Sequence, residues 1–149
     1  MLIRDMVSTD ADAVLGMMRL FYDSPAVLTK AGDDILRRDF EDCVGDCPLL
    51  EGLVFEENGE IIGYSMLAKC YATEFGGMCI WVEDLYFKEG CRGGGRAKEF
   101  FAFIEDRYKG LAVRYKLEVE EENEYAMRAY FKEGYSISPY HVMTKEINI

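Results

Sequence analysis

The chain is short of histidine, of basic charge, of paired cysteines and of long apolar runs, and each shortage removes a class of function. Its single histidine, His141, leaves no histidine-rich transition-metal cluster. No nucleophile elbow accompanies that histidine, so it reads as a structural or surface residue of a last strand. Lys and Arg number 17 against 28 Asp and Glu, a net charge of -11. Neutralising nucleic-acid phosphates needs the opposite balance, so a nucleic-acid partner is not expected. An acidic field attracts small cations such as polyamines or amino sugars, although acidity also serves solubility alone. The five cysteines, Cys43, Cys47, Cys70, Cys79 and Cys91, are odd in number and show no CxxC spacing. Free thiols in a reducing compartment are expected, with no metal site. No run is apolar for long enough to span a membrane. The opening Met1-Leu2-Ile3-Arg4-Asp5 lacks the charged segment and apolar run of a secretory leader. The expected location is therefore cytoplasmic, with no membrane partner.

What is present is a chain of 149 residues, half of them apolar, with plentiful aromatics. That suits one domain over 1–149 with a core that needs no metal or disulfide staple. Leu2 to Arg4 reads as a short strand. Ser8 and Thr9 offer helix caps, and Ala11, Leu15, Met18 and Tyr22 follow at helical spacing up to Ser24-Pro25. A second helix is expected from about Asp33 to Cys43, with Ile35, Leu36 and Phe40 on its buried side. Leu49 to Glu56 and Ile61 to Cys70 read as a hairpin around Asn58-Gly59, a pair that tolerates positive φ. Met78 to Phe87 reads as a long central strand. Beyond it, Ala97, Phe100, Phe101, Ile104 and Tyr108 mark an amphipathic helix. Tyr115 to Glu120 alternates as a strand. Asn123 caps a last helix that stops at Gly134, and Tyr140 to Ile147 is expected to close the sheet. The order predicts an α/β fold with a mixed, mostly antiparallel sheet, one right-handed parallel crossover, and helices on both faces.

Between the central strand and the amphipathic helix lies Gly90-Cys91-Arg92-Gly93-Gly94-Gly95-Arg96. Strand, glycine-rich turn and helix together make an anion site. The helix N-terminus leaves amides unpaired, its dipole is positive there, and glycines admit the anion closely. Arg92 adds a forked cation. The run lacks the Gly-Lys-Ser/Thr ending of a nucleotide P-loop and the acidic ribose ligand of a dinucleotide fold. A plain flexible turn is the blander account, and the flanking elements weigh against it.

Arg92-Gly93-Gly94-Gly95-Arg96-Ala97 resembles the Arg/Gln-x-x-Gly-x-Gly/Ala signature of the GNAT superfamily of N-acetyltransferases, with Arg92, Gly95 and Ala97 on its fixed positions. Val82 to Phe87 resembles that family's fourth strand and Leu117-Glu118-Val119 its fifth. Asn123 through Tyr130 to Gly134-Tyr135 resembles its Asn…Ala…Tyr…Gly-Phe/Tyr segment. Arg96 departs from the usual aliphatic residue, and Cys91 stands where an aromatic is frequent. The resemblance implies a GNAT fold and an acetyl-coenzyme A cosubstrate. Backbone amides of Gly93 to Ala97 would hold the pyrophosphate, and the backbone around Leu85, Tyr86 and Phe87 the pantetheine arm. Arg92, Arg96 and the Asn123 side chain are further candidate contacts. It also carries a family-level expectation of a homodimer.

Amine acetylation by a thioester requires an acceptor for the amine proton, a donor to the oxyanion and a proton for the leaving thiolate. A tyrosine hydroxyl, with a pKa near ~10, can protonate a thiolate. The resemblance implies that role for Tyr130, although a core tyrosine is the plainer reading of its helical stripe with Ala126. Glu83 and Asp84 are the candidate bases. Adjacent strand residues point to opposite faces, so one of them faces the substrate unless a bulge intervenes. Glu83 is the expected base, directly or through a water; an exposed strand carboxylate or an ion pair would account for either residue. The family implies a backbone amide near Leu85 as the oxyanion donor.

Glu83-Asp84-Leu85-Tyr86-Phe87 and Tyr71-Ala72-Thr73 resemble segments of the polyamine and diamine acetyltransferase branch, and the overall acidity suits a polycationic amine. A fold of this type serves many acceptors. Two other readings remain at this point: an acyl-coenzyme A-binding regulator without turnover, and a protein N-acetyltransferase.

Overall fold

The computed structural model describes residues 1–147. Strand β1 (Leu2–Asp5) leads through a 3-10 turn (Ser8–Asp10) into α1 (Ala11–Tyr22) and α2 (Asp33–Val44). Strands β2 (Leu50–Glu57), β3 (Glu60–Ala72) and β4 (Gly77–Phe87) follow, then α3 (Arg96–Arg107), β5 (Ala112–Leu117) and α4 (Glu124–Lys132). The five strands lie side by side in sequence order. β1 to β4 are antiparallel, and β5 runs parallel to β4 through the α3 crossover. Asn58 (φ 52°) and Gly59 (φ 80°) form the expected β2–β3 turn.

Alternation along the strands divides the core between two faces. Val54, Tyr64, Met66 and Tyr86 meet Val14, Met17 and Met18 of α1 and Leu36 and Phe40 of α2. On the opposite face Leu53, Phe55, Leu67, Ile80, Val82 and Phe87 meet Phe100, Phe101 and Ile104 of α3. Helices on both faces follow from that division. No helix among the described residues is long and apolar enough to cross a membrane.

Two boundaries differ from the sequence reading in ways that matter. β5 ends at Leu117, short of Glu120, and its pairing with β4 stops at Val82↔Leu117. Continuing it would set Glu118 against Glu83 and Asp84, and like charges opposed across a ladder are destabilising. The second correction concerns Tyr140 to Ile147, which form no strand. Pro139 cannot donate to a ladder, and the Tyr140 amide donates locally to Ser138 Oγ (3.3 Å). The Tyr140 hydroxyl donates to Glu74 at the β3–β4 turn (3.1 Å). The outer edge of β5 is left without a neighbour among the described residues.

Candidate active site

The site begins at an irregularity in β4. Met66 pairs with Asp84 but the next residue, Leu67, pairs with Val82, so Glu83 is an extra residue bulged out of the ladder. A one-residue shift exchanges faces. Ile80 and Val82 pack toward α3, whereas Asp84 and Tyr86 beyond the bulge point toward α1 and α2. The bulge therefore separates the two candidate bases. Glu83 is exposed on the lining of a cleft of about 1070 Å³. Asp84 is 3 % exposed on the far side of the sheet and is absent from that lining.

Asp84 is held by hydroxyls. Tyr64 Oη donates to one carboxylate oxygen (2.9 Å) and Tyr22 Oη to the other (3.2 Å), while Ser65 Oγ donates to the Asp84 carbonyl (2.6 Å). Burial pushes the Asp84 carboxyl up to about 6; the two tyrosine hydrogen bonds oppose that, and Glu83 and Asp39 add to it. The Glu83 carboxyl is also raised, first by desolvation in the cleft and then by repulsion from Glu118.

The cleft opens where β5 leaves β4. From Asp84 to Phe87, β4 is paired with β3 only, so its other edge carries free backbone donors and acceptors. The Leu85, Tyr86 and Phe87 side chains are occupied with packing: Phe87 stacks on Phe55 at 4.8 Å, and Tyr86 lies in the α1/α2 core. Their backbone is available along this edge.

At the end of β4 the chain enters the glycine turn. Gly93, Gly94 and Gly95 have φ of 82°, 63° and 82°, the left-handed conformation that glycine alone adopts freely. Gly95 is the N-cap of α3, and the amides of Gly93, Gly94 and Gly95 donate to no backbone carbonyl. Ala97 occupies the first turn of α3 and packs into the core below. The two arginines both line the cleft and are held differently. Arg96 forms a bidentate ion pair with Glu57 (2.9 and 2.8 Å), which clamps the turn to the end of β2. Arg92 donates to the Phe87 carbonyl (3.3 Å) and lies over the Tyr86 ring, while still lining the cleft.

The opposite wall comes from β5 and α4. Asn123 caps α4, accepting from the Ala126 amide (3.2 Å), and lines the cleft as well. Tyr130 packs edge-on against Phe101 (5.8 Å) and against Tyr135 (6.1 Å). It is both the core tyrosine and a cleft residue, because its ring also lines the cleft. Burial raises its pKa. Glu118, Glu120 and Glu122 line the same cleft, and Phe21 with Ser24 to Ala26 and Leu28 close one end.

The structure brings Glu83, the glycine turn, the β4 edge, Asn123 and Tyr130 into one cleft and leaves Asp84 out of it. Sequence reading missed Tyr22, Tyr64 and Ser65 around Asp84, and the Glu57 clamp on Arg96. No local signal marks these partners, because they lie 19 to 62 residues from the groups they hold. The acidic run Glu118 to Glu122 was the one legible sign that β5 would leave the sheet.

Three consecutive left-handed glycines with unpaired amides at a helix N-terminus, beside a free strand edge, fit an extended pyrophosphate-containing ligand. A fold and site of this kind define a coenzyme A-dependent acyltransferase. Residues 14–135 match the acetyltransferase (GNAT) family, and the chain belongs to it. Acetyl-coenzyme A is the cosubstrate that goes with that membership. Among solved structures, a possible acetyltransferase from Clostridium difficile 630 is similar at a TM-score of 0.85 and 17% identity, covering 99% of this chain and 98% of that one. The aminoglycoside N-acetyltransferase AAC(6')-Iy in complex with CoA is similar at a TM-score of 0.78 and 17% identity, over 97% and 93% of the two chains. A ribosomal-protein-alanine N-acetyltransferase from Brucella melitensis biovar Abortus 2308 is similar at 0.73 and 16%, over 99% and 100%. No curated protein matches the chain by sequence.

Proposed function

We propose that this acetyltransferase, as one catalytic domain over residues 1–149, N-acetylates the primary amine of a small cationic acceptor, polyamine- or diamine-like, in a ternary complex. The observation that carries the acceptor class is the set of carboxylates Glu83, Glu118, Glu120 and Glu122 on β4 and the segment after β5; the cations of the same lining, Arg92, Arg96 and Lys98 by the glycine turn and Arg128 and Lys132 on α4, lie on other elements. A multiply charged amine is attracted by such a field, and a neutral acceptor is not. AAC(6')-Iy is named for aminoglycosides, which are also polycationic amines.

Acetyl-coenzyme A supplies an activated acetyl thioester when bound. The amides of Gly93, Gly94 and Gly95 hold its pyrophosphate, aided by Arg92, and the free edge of β4 at Leu85 to Phe87 pairs with its pantetheine. Glu83 first binds the acceptor ammonium and then takes its proton, directly or through one water. Its raised pKa favours that transfer, since a base works best with a pKa near the working pH. A backbone amide near Leu85 faces the developing oxyanion. Tyr130 Oη gives its proton to the departing sulfur. Asn123 orients the start of α4, and Arg96 holds the glycine turn through Glu57.

A homodimer is supported by the bare outer edge of β5 and by the exposed apolar side chains after Gly134, with Met143 at 94 % exposure. A cytoplasmic location goes with a metabolite substrate and with unpaired thiols. Release of free coenzyme A thiol over an amine panel tests the acceptor: spermidine, short diamines, an aminoglycoside and an N-terminal peptide. Turnover of the small polyamines well above the peptide is expected. Turnover of the peptide alone would assign a protein N-acetyltransferase, and binding of acetyl-coenzyme A with no turnover of any amine would assign a regulator.

A further inference from the structure

Away from the cleft, at the other end of the β3–β4 hairpin, two thiols face each other. Cys70 on β3 pairs in register with Cys79 on β4, so the two side chains emerge directly opposite on the same face of the sheet. Opposed residues of an antiparallel ladder have Cα atoms about 4.5 or 5.5 Å apart. Both separations lie within the roughly 4.4–6.8 Å that a disulfide spans. The pair is asymmetric. Cys70 is the exposed cysteine of the five, and Cys79 is 1 % exposed. β5 sets Arg114 opposite Cys79 and Lys116 opposite Trp81, so two cations lie beside the buried thiol.

We propose that Cys70 and Cys79 are a redox site that closes reversibly into a cross-strand disulfide when the protein meets a peroxide. The exposed Cys70 thiolate attacks one peroxide oxygen, the O–O bond breaks, and the second oxygen leaves as hydroxide. Cys70 becomes a sulfenic acid. The Cys79 sulfur then displaces the sulfenic oxygen, which departs as water with the Cys79 proton. In sum, two thiols and one hydrogen peroxide give one disulfide and two waters. Burial, and after it the neighbouring Cys70 thiol, push the Cys79 thiol up to about 11, so Cys79 is not the thiol that peroxide oxidises first; it gives up its proton as it attacks the sulfenic sulfur, and Lys116 and Arg114 favour that loss. The remaining three cysteines are placed otherwise: Cys43 packs against the α1/α2 side of the core, Cys91 against the α3 side, and Cys47 lies just after α2.

The test is oxidation of the whole folded protein with hydrogen peroxide, followed by non-reducing peptide mapping. The map needs cleavage at Glu74, which lies between the two cysteines. A linked Cys70–Cys79 peptide, two hydrogens lighter than its parts and separated by dithiothreitol, is expected. Cys70→Ser, at an exposed position, removes that peptide without touching the core. In Cys79→Ser, Cys70 should accumulate instead as a dimedone-trapped sulfenic acid. Equal dimedone labelling of Cys70 in wild type and Cys79→Ser, or cross-links that lead to Cys43, Cys47 or Cys91, would overturn the proposal. The readout is a mass, so it is independent of any acetyl transfer.

Discussion

The two halves of β4 differ in how their backbone is used. From Met78 to Val82 the strand is paired on both sides, with β3 and with β5, and its Ile80 and Val82 are sealed under α3. From Glu83 onward it keeps one partner, carries a bulge, and turns its free edge toward the cleft. The first half holds the sheet together; the second is left unsatisfied on one side and is thereby able to bind. The same strand supplies both because a single extra residue, Glu83, ends the ladder at the point where β5 turns away.

That contrast can be broken most severely in the sealed half. Phe100 is fully buried against Phe55 and Phe101. Phe100→Ala should cost about 3–5 kcal/mol of stability, measured by chemical unfolding. The open half should respond in rate rather than stability. Tyr130→Phe and Glu83→Gln should each lower kcat by about 10²-fold or more, with the affinity for acetyl-coenzyme A unchanged in steady-state kinetics. An unchanged kcat in Tyr130→Phe would remove it from the chemistry and leave it a packing residue.

Asp84 neighbours Glu83 in sequence but lies on the sealed side. Its folded-state pKa, raised to about 6 by burial, sits above its ordinary unfolded value. The folded protein therefore binds the extra proton. The stability tied to it is present below about pH 4 and is lost as pH rises through about 6. Asp84→Asn should remove that slope and leave the protein as stable at pH 7.5, or about 2 kcal/mol more so. A variant that keeps the wild-type slope between pH 4 and 7 would place the titration elsewhere. The smallest effect is expected at the turn. Gly95 has open space around it but a φ of 82°, so Gly95→Val strains the backbone and not the packing. Binding of acetyl-coenzyme A should weaken about tenfold for a cost of about 1.4 kcal/mol.

Much of this was legible in the chain. Asn58-Gly59 fixed one hairpin, and the spacing of Ala97, Phe100, Phe101 and Ile104 marked α3. The three glycines before it marked the anion turn, because each of these signals is local. The bulge was legible only as an open alternative, since the adjacent Glu83 and Asp84 interrupt the alternation without showing how the strand is paired there. Only the register against Met66 and Leu67 reveals it. The hydroxyl partners of Asp84 and the Glu57 clamp on Arg96 come from distant elements, so no window of sequence contains them. The strand expected at Tyr140 to Ile147 does not form: its apolar residues stop alternating after Val142, and the local Ser138 bond holds the Tyr140 amide.

The glycine turn and the free edge of β4 together form the proposed coenzyme A site. Calorimetric titration with acetyl-coenzyme A tests it most directly, with a pantetheine thioester lacking the pyrophosphate as the control. Micromolar binding of the full cosubstrate and at least tenfold weaker binding of the control are predicted. No detectable heat with acetyl-coenzyme A, or equal binding of the two, would contradict the account at its base.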